Sequence, residues 1–211
     1  AAKMDHMIVP VEVQLEDGTK TVADKDQHPR PETTLEGLSR LKTPFREQGG
    51  RVTAGNSSGL NDGAAVVLLM SRAMAEKQGF VPKMRWVATG VAGVDPTIMG
   101  TAPVPATQKA LEKAGLTMDD MDIIEINEAF AVQALYCLDR LGVAADDPRV
   151  NKWGGAIAYG HPLAASGPRL VAFMKGLFAE NPDARYGLTT MCVGRGQGYS
   201  IIWENLSRAS S

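Results

Sequence analysis

The 211 residues carry 22 Lys+Arg against 24 Asp+Glu, a formal charge of -2, and only 6% of them are aromatic. A near-neutral chain with no basic cluster argues against a dedicated nucleic-acid binder. No apolar run approaches the roughly 20 residues of a membrane-spanning helix, and the length suffices for one large domain or two small ones with a real core.

Cysteine usage narrows the classes further. Cys137 and Cys192 form no disulfide framework, and with three widely spaced histidines they form no zinc set, so no metal is expected. A reducing compartment follows, cytoplasmic by default. The first residues show no basic segment followed by an apolar one, so no secretory signal is expected. Ala1-Ala2-Lys3-Met4 runs directly into a strand pattern, as though from the middle of a longer protein.

In chain order, His6 to Leu15 holds the alternating Val9, Val11, Val13 and Leu15, and Asp17-Gly18 signals a hairpin turn. Asp24 to Pro31 reads as a loop. Thr33 with Glu36 fits a capping box opening a short helix with Leu35, Leu38 and Leu41. A Gly/Asn/Ser-rich stretch, Thr53 to Gly63, gives way to the apolar run Ala64 to Met70, which fits a buried strand. A helix over Ser71 to Gln78 stops at Gly79, and Pro82 marks a boundary.

Strands and helices then alternate. Trp86 to Val91 reads as strand, Pro105 to Ala114 as helix, Asp122 to Ile126 as strand and Asn127 to Leu141 as helix. Ala156 to Tyr159 reads as a short strand and Ser166 to Ala179 as helix. Leu188 to Cys192 and Tyr199 to Glu204 read as strands joined by a glycine-rich turn. This order predicts an α/β layered sheet.

Three segments carry side chains suited to chemistry. Asn127-Glu128-Ala129-Phe130 sits where a strand gives way to a helix, the edge at which open α/β sheets bind ligands. Its amide is suited to holding a water or an oxyanion, or simply to capping the helix. Gly154 to Leu163 brackets His161 with glycines, and Pro162 holds His161 out of helical conformation. An imidazole there serves as acid or base near neutral pH, or packs at a turn. Cys192-Val193-Gly194-Arg195-Gly196-Gln197-Gly198 delivers a thiol into a turn whose N–H groups are free to face a developing anion. The plainer alternative is a buried cysteine beside a tight hairpin. No Gly-Lys-Ser/Thr opens a helix and no Gly-x-Ser-x-Gly occurs, which argues against a P-loop and a hydrolase triad. An amide, an imidazole and a thiol at sheet ends suit chemistry on a carbonyl.

These segments, in this order, resemble the three C-terminal active-site motifs of thiolases, and Thr53 to Ala65 resembles a fourth signature of that family. His28 to Glu36 and Val104-Pro105-Ala106-Thr107 look most like the degradative 3-ketoacyl-CoA thiolases, including those acting on 3-oxoadipyl-CoA-type intermediates. The resemblance implies a layered α/β/α/β/α fold, of which this chain holds the C-terminal part. Residues 1–57 would be the tail of the CoA-binding loop region, 58–81 a strand and helix of the N-terminal core domain, and 82–211 the C-terminal core domain.

By the same resemblance, His161 activates the nucleophilic cysteine and, with Asn127, positions a water in one oxyanion hole. Cys192 moves a proton to or from the α-carbon of acetyl-CoA, the Gly194 N–H belongs to a second oxyanion hole, and Ser58 contacts the pantetheine. Coenzyme A and acyl-CoA are then substrates and no cofactor is held covalently. The nucleophilic cysteine would lie in an N-terminal half not in this chain, so the chain alone is expected to be inactive. The whole is expected to form dimers or tetramers.

Two positions depart from the family pattern: Trp153 stands where a small polar residue is usual, and Ala164 where a glycine is. Two other classes compete. A non-catalytic acyl-CoA- or lipid-binding or assembly protein has no need of Asn127, His161 and Cys192 together. A ketoacyl synthase uses a second histidine where Cys192 stands.

Overall fold

The computed structural model describes residues 2–208. Its N-terminal third carries little regular structure. A 3-10 turn over Ala2–Met7 precedes β1 (Val11–Gln14), which pairs antiparallel with β2 (Lys20–Ala23) in the register Val11↔Ala23. The expected turn forms between them, with Gly18 at φ 83°. The short helix α1 (Leu35–Ser39) is capped by Thr34, whose hydroxyl accepts from the Gly37 N–H. Thr33 instead donates to the Arg30 carbonyl, so the expected capping residue is off by one.

The apolar run 64–70 does not form a strand. Strands need a neighbouring ladder, and none of the described residues supplies one. Val66 is 95% exposed and Leu68 69%. The helix after it, α2 (Arg72–Gln78), is capped by Ser71 and stopped by Gly79 as expected.

From residue 84 the chain folds around one sheet. β3 (Met84–Gly93), α3 (Pro103–Ala114), β4 (Ile123–Ile126), α4 (Ala131–Arg140), the single turn α5 (Ala156–Tyr159), α6 (Ser166–Glu180), β5 (Tyr186–Val193) and β6 (Gln197–Asn205) follow in order. The strand order is β3-β6-β5-β4, antiparallel except for the parallel β4/β5 pair. All four residues of β4 are buried, the pattern of a parallel strand covered on both faces.

Each face has its own core. Ala110 and Leu111 of α3 and Leu138 of α4 pack on Ile124, Leu188 and Ile202. Phe173, Met174, Leu177 and Phe178 of α6 pack on Ile123 and Trp203 across the sheet. The result is three layers of an α/β arrangement, as the sequence predicts.

Two local readings fail, and both matter for the site. The helix expected from Asn127 begins only at Ala131, with Phe130 at its N-cap and no side-chain cap. The expected strand over Ala156–Tyr159 is a helical turn. Four residues cannot distinguish the two by periodicity, and here there is no strand beside them to pair with.

Candidate active site

β4 ends at Ile126; the next backbone N–H, that of Asn127, makes the last bond to β5, to the Thr190 carbonyl at 2.9 Å. Asn127 is 1% exposed, and it does not cap α4. Its amide Nδ2 lies 3.5 Å from His161 Nε2, 34 residues away in sequence. The other ring nitrogen, Nδ1, is 2.5 Å from the Ser166 hydroxyl at the start of α6. The imidazole is thus held from both sides, which fixes its orientation.

The His161 backbone is fixed as firmly. Its N–H donates to the Gly59 carbonyl at 2.9 Å, and Leu60 forms an isolated parallel bridge with it. The Ser58 N–H donates to the Ala129 carbonyl at 3.0 Å, and Ser57 bridges Phe130. The segment 57–61 therefore lies between the Asn127 loop and the His161 loop and joins them. Gly160, at φ 84°, passes directly beneath the Asn61 amide, where a side chain would collide.

Glu128 organises the second loop. Its carboxylate accepts from the Ile157 N–H at 3.2 Å and from Asn151 Nδ2 at 2.7 Å. A Cβ on Gly155 would strike that carboxylate, so the double glycine makes room for an acid, not only for a ligand.

Cys192 lies near the end of β5, two residues past the Thr190 whose carbonyl Asn127 uses. It is 5% exposed and its alternation aligns it with Leu188 and Thr190, toward α3. Among the described residues no hydrogen bond joins it to Asn127 or His161. The structure thus brings Asn127 and His161 into direct contact, ties the Ser58 and Gly59 backbone to Ala129 and His161, and delivers Cys192 to the same C-terminal edge of the parallel pair. Gly194 sits in the open β5–β6 turn, where a Cβ would meet nothing within 4 Å. Arg195 in that turn is exposed at φ 66°.

The electrostatics fit proton transfer. Burial, then the Arg169 charge, holds His161 below the ordinary imidazole range, so it is the neutral base at pH 7. Burial pushes the Cys192 thiol up, so it rests protonated. Cys137, buried in α4 with its thiol on the Gly100 carbonyl, is pushed up to about 11 and is inert packing.

Three residues at the site escape sequence reasoning. Ser166 and Arg169 carry no local signal. Glu125 does carry one: an acid inside Ile123-Ile124-Glu125-Ile126 on a strand that reads as buried. It is 1% exposed and burial pushes it up to about 8. Its folded-state value lies above the unfolded one, so a proton is lost on unfolding between those values. Stability therefore falls as pH rises from about 5 toward 8. Glu125→Gln, which keeps the shape of the neutral acid, is expected to remove most of that fall. Urea midpoints at pH 5 and pH 8 measure it, and an unchanged difference between wild type and variant would refute the neutral acid.

Trp153 packs into the α6 core. Its ring packs on Phe173 at 5.8 Å and fills the space left by Gly176 on α6, with its N–H on Glu180.

The chain matches the thiolase C-terminal domain over residues 80–205 and the thiolase N-terminal domain over residues 1–73. The chain belongs to the thiolase family. It is 53% identical over 199 residues to the 3-oxoadipyl-CoA/3-oxo-5,6-dehydrosuberyl-CoA thiolase of Escherichia coli, covering 94% of this chain and 49% of that protein. A 3-ketoacyl-CoA thiolase of Vibrio vulnificus is 50% identical, covering 93% of this chain and 51% of the relative. Among solved structures, the Bacillus anthracis acetyl-CoA acetyltransferase superposes with a TM-score of 0.87 at 41% identity, covering 96% of this chain and 50% of that one. Human mitochondrial 3-ketoacyl-CoA thiolase gives 0.80 at 39%, covering 93% and 48%. This thiolase chain spans about half the length of the relatives it matches.

Proposed function

We propose that this chain is the acid–base and oxyanion half of an acyl-CoA acyltransferase. Together with a nucleophile-bearing half it cleaves 3-ketoacyl-CoA with coenzyme A to acetyl-CoA and a shortened acyl-CoA, or runs the reverse Claisen condensation. The observation that carries the reading is the meeting of Asn127 and His161 at 3.5 Å, beside the sheet edge that bears Cys192. Both sides of that meeting belong to thiolase motifs.

In this reading His161 Nε2 takes the proton of the nucleophilic cysteine, whose sulfur attacks the 3-keto carbon. The bond between C2 and C3 breaks, the acyl group stays on the cysteine, and the electron pair passes to the acetyl thioester as an enolate. The Cys192 thiol gives its proton to the enolate carbon, and acetyl-CoA leaves. The Cys192 thiolate then takes the proton of the incoming coenzyme A thiol, whose sulfur attacks the acyl carbon; the nucleophilic cysteine leaves as a thiolate and takes back the proton held by His161. Asn127 with His161 serves one oxyanion, through a water, and the Gly194 N–H the other. Ser58 meets the pantetheine. A thiol that rests protonated and an imidazole that rests neutral are the starting states this sequence needs.

The division into 1–57 (loop region), 58–81 (N-terminal core) and 82–211 (C-terminal core) belongs to the same proposal, as do a cytoplasmic setting and assembly into dimers or tetramers. No helix among the described residues is long and apolar enough to cross a membrane. The seat of the completing half is the apolar trough of about 730 Å³ lined by Val66, Leu68, Phe80, Val81, Trp86 and Trp203. The run 64–70, apolar and without a ladder, would find its sheet there.

Coexpression with an N-terminal thiolase half tests this. The pair is expected to consume acetoacetyl-CoA only when coenzyme A is present, and the chain alone is expected to be silent. A stable pair that binds acyl-CoA without turnover would overturn it in favour of a binding protein.

A further inference from the structure

Arg169 lies on α6, three residues past the Ser166 that holds the His161 ring. Its terminal Nη2 donates to the Gly160 carbonyl at 2.8 Å, so it grips the peptide immediately before His161. The guanidinium lies over the Phe173 ring at 5.7 Å, and its Nε is buried with no hydrogen-bond partner. Glu125 lies behind it on β4, two residues before Asn127 and on the same face of the strand. One carboxyl oxygen of Glu125 is buried and unpartnered as well. The two side chains feel each other's charge, yet no ion pair forms between them. A half-buried arginine that gives its fork to a backbone carbonyl while a buried acid nearby goes unpaired is not built for a salt bridge.

We propose that Arg169, backed by Glu125, is a positioning residue for His161, acting through the Gly160 carbonyl and through its own charge.

The grip on Gly160 sets the loop, and the charge sets the ring. Arg169 is the charged group facing His161; Ser166, Asn127 and the backbone of Gly59 are its neutral neighbours. A cation close to an imidazole in a half-buried site disfavours a second positive charge and keeps the ring a base. A second ionised carboxylate beside the arginine would weaken that effect. Glu125 faces Glu128 and Arg169, and both its burial and the Glu128 charge keep its proton on. Asp26, from the N-terminal loop, is the other acid facing Arg169. Neutral Glu125 adds no opposing charge near the guanidinium, so Asp26 alone moderates it.

The role of His161 in acyl transfer rests on the thiolase reading. Its titration does not, so the test is made on the chain by itself. The three histidines are His6, His28 and His161, and a His161→Asn sample assigns the third in nitrogen-resolved NMR spectra. In Arg169→Met the proton-binding constant of His161 is expected to rise about three- to tenfold. In Arg169→Lys, which keeps the charge and loses the fork, it is expected to stay within about twofold of wild type. Glu125→Gln is expected to leave the titration below pH 7 unchanged, because it replaces a neutral group by a neutral group. The proposal is overturned if Arg169→Met and Arg169→Lys shift His161 alike, if neither shifts it, or if Glu125→Gln moves it below pH 7. Should Arg169→Met not fold, Arg169→Gln takes its place as the uncharged variant, with the same expected rise and the same overturning outcomes. Loss of the thiolase activity of a completed enzyme would leave these titrations untouched, so the two readings fail separately.

Discussion

In the completed enzyme, His161→Ala is expected to lower kcat for thiolysis by about 10²- to 10⁴-fold, the range a positioned acid–base group supplies. Cys192→Ser is expected to cost a similar factor. A serine hydroxyl gives up its proton far less readily than a thiol, so the shape is kept while the proton carrier is lost. The two variants should differ in which step they stop. His161→Ala is expected to abolish acylation of the nucleophilic cysteine by substrate. Cys192→Ser is expected to allow acylation by a simple activated acyl thioester and to block exchange of the α-protons of acetyl-CoA with solvent. Intact-mass spectrometry reads the first and isotope exchange the second. Full proton exchange in Cys192→Ser would remove Cys192 from the mechanism. The pH profile carries its own sign. In the proposed mechanism His161 acts as a base, and it is held below the ordinary imidazole range. Activity is therefore expected to persist at pH values below the ordinary imidazole value and to fall only as pH drops through the depressed one.

Phe173→Ala is expected to lower stability by about 3–5 kcal/mol, the range for truncating a buried aromatic. Phe173 is 2% exposed on α6, with Trp153 edge-on at 5.8 Å and the Arg169 guanidinium above it at 5.7 Å. The truncation removes one wall of the α6 core and the surface on which Arg169 lies. The His161 loop should loosen before the whole chain unfolds, because Arg169 is, with Ser166, one of its two side-chain links to the helix. Chemical denaturation gives the global loss, and amide exchange at Gly160 and His161 gives the local one. A loss under about 1 kcal/mol would mean that the helix collapses onto the space without effect on the loop.

The sequence alone determined the layer order and singled out the candidate site residues. The motifs hold Asn127, His161 and Cys192 at fixed offsets from glycines and strand ends, and the apolar periodicity of 103–114, 166–180 and 186–205 leaves little choice of element. Where the periodicity was short, it misled. The run 64–70 has the composition of a buried strand, but a strand exists only by hydrogen bonds to another, and the described chain offers it no ladder. Asn127 left two readings open, a helix cap or an amide that holds a water or an oxyanion, and only the structure shows that it does not cap α4 and meets the His161 ring instead.

What the tertiary structure decided is everything that depends on distance across the chain. It set Ser58 and Gly59 between two loops that lie about seventy and a hundred residues further on. It turned Glu125 from one letter in a strand into a buried acid, and Arg169 from a helix residue into the grip on Gly160. No local pattern encodes these, because burial and charge at a point are sums over neighbours that only folding brings together.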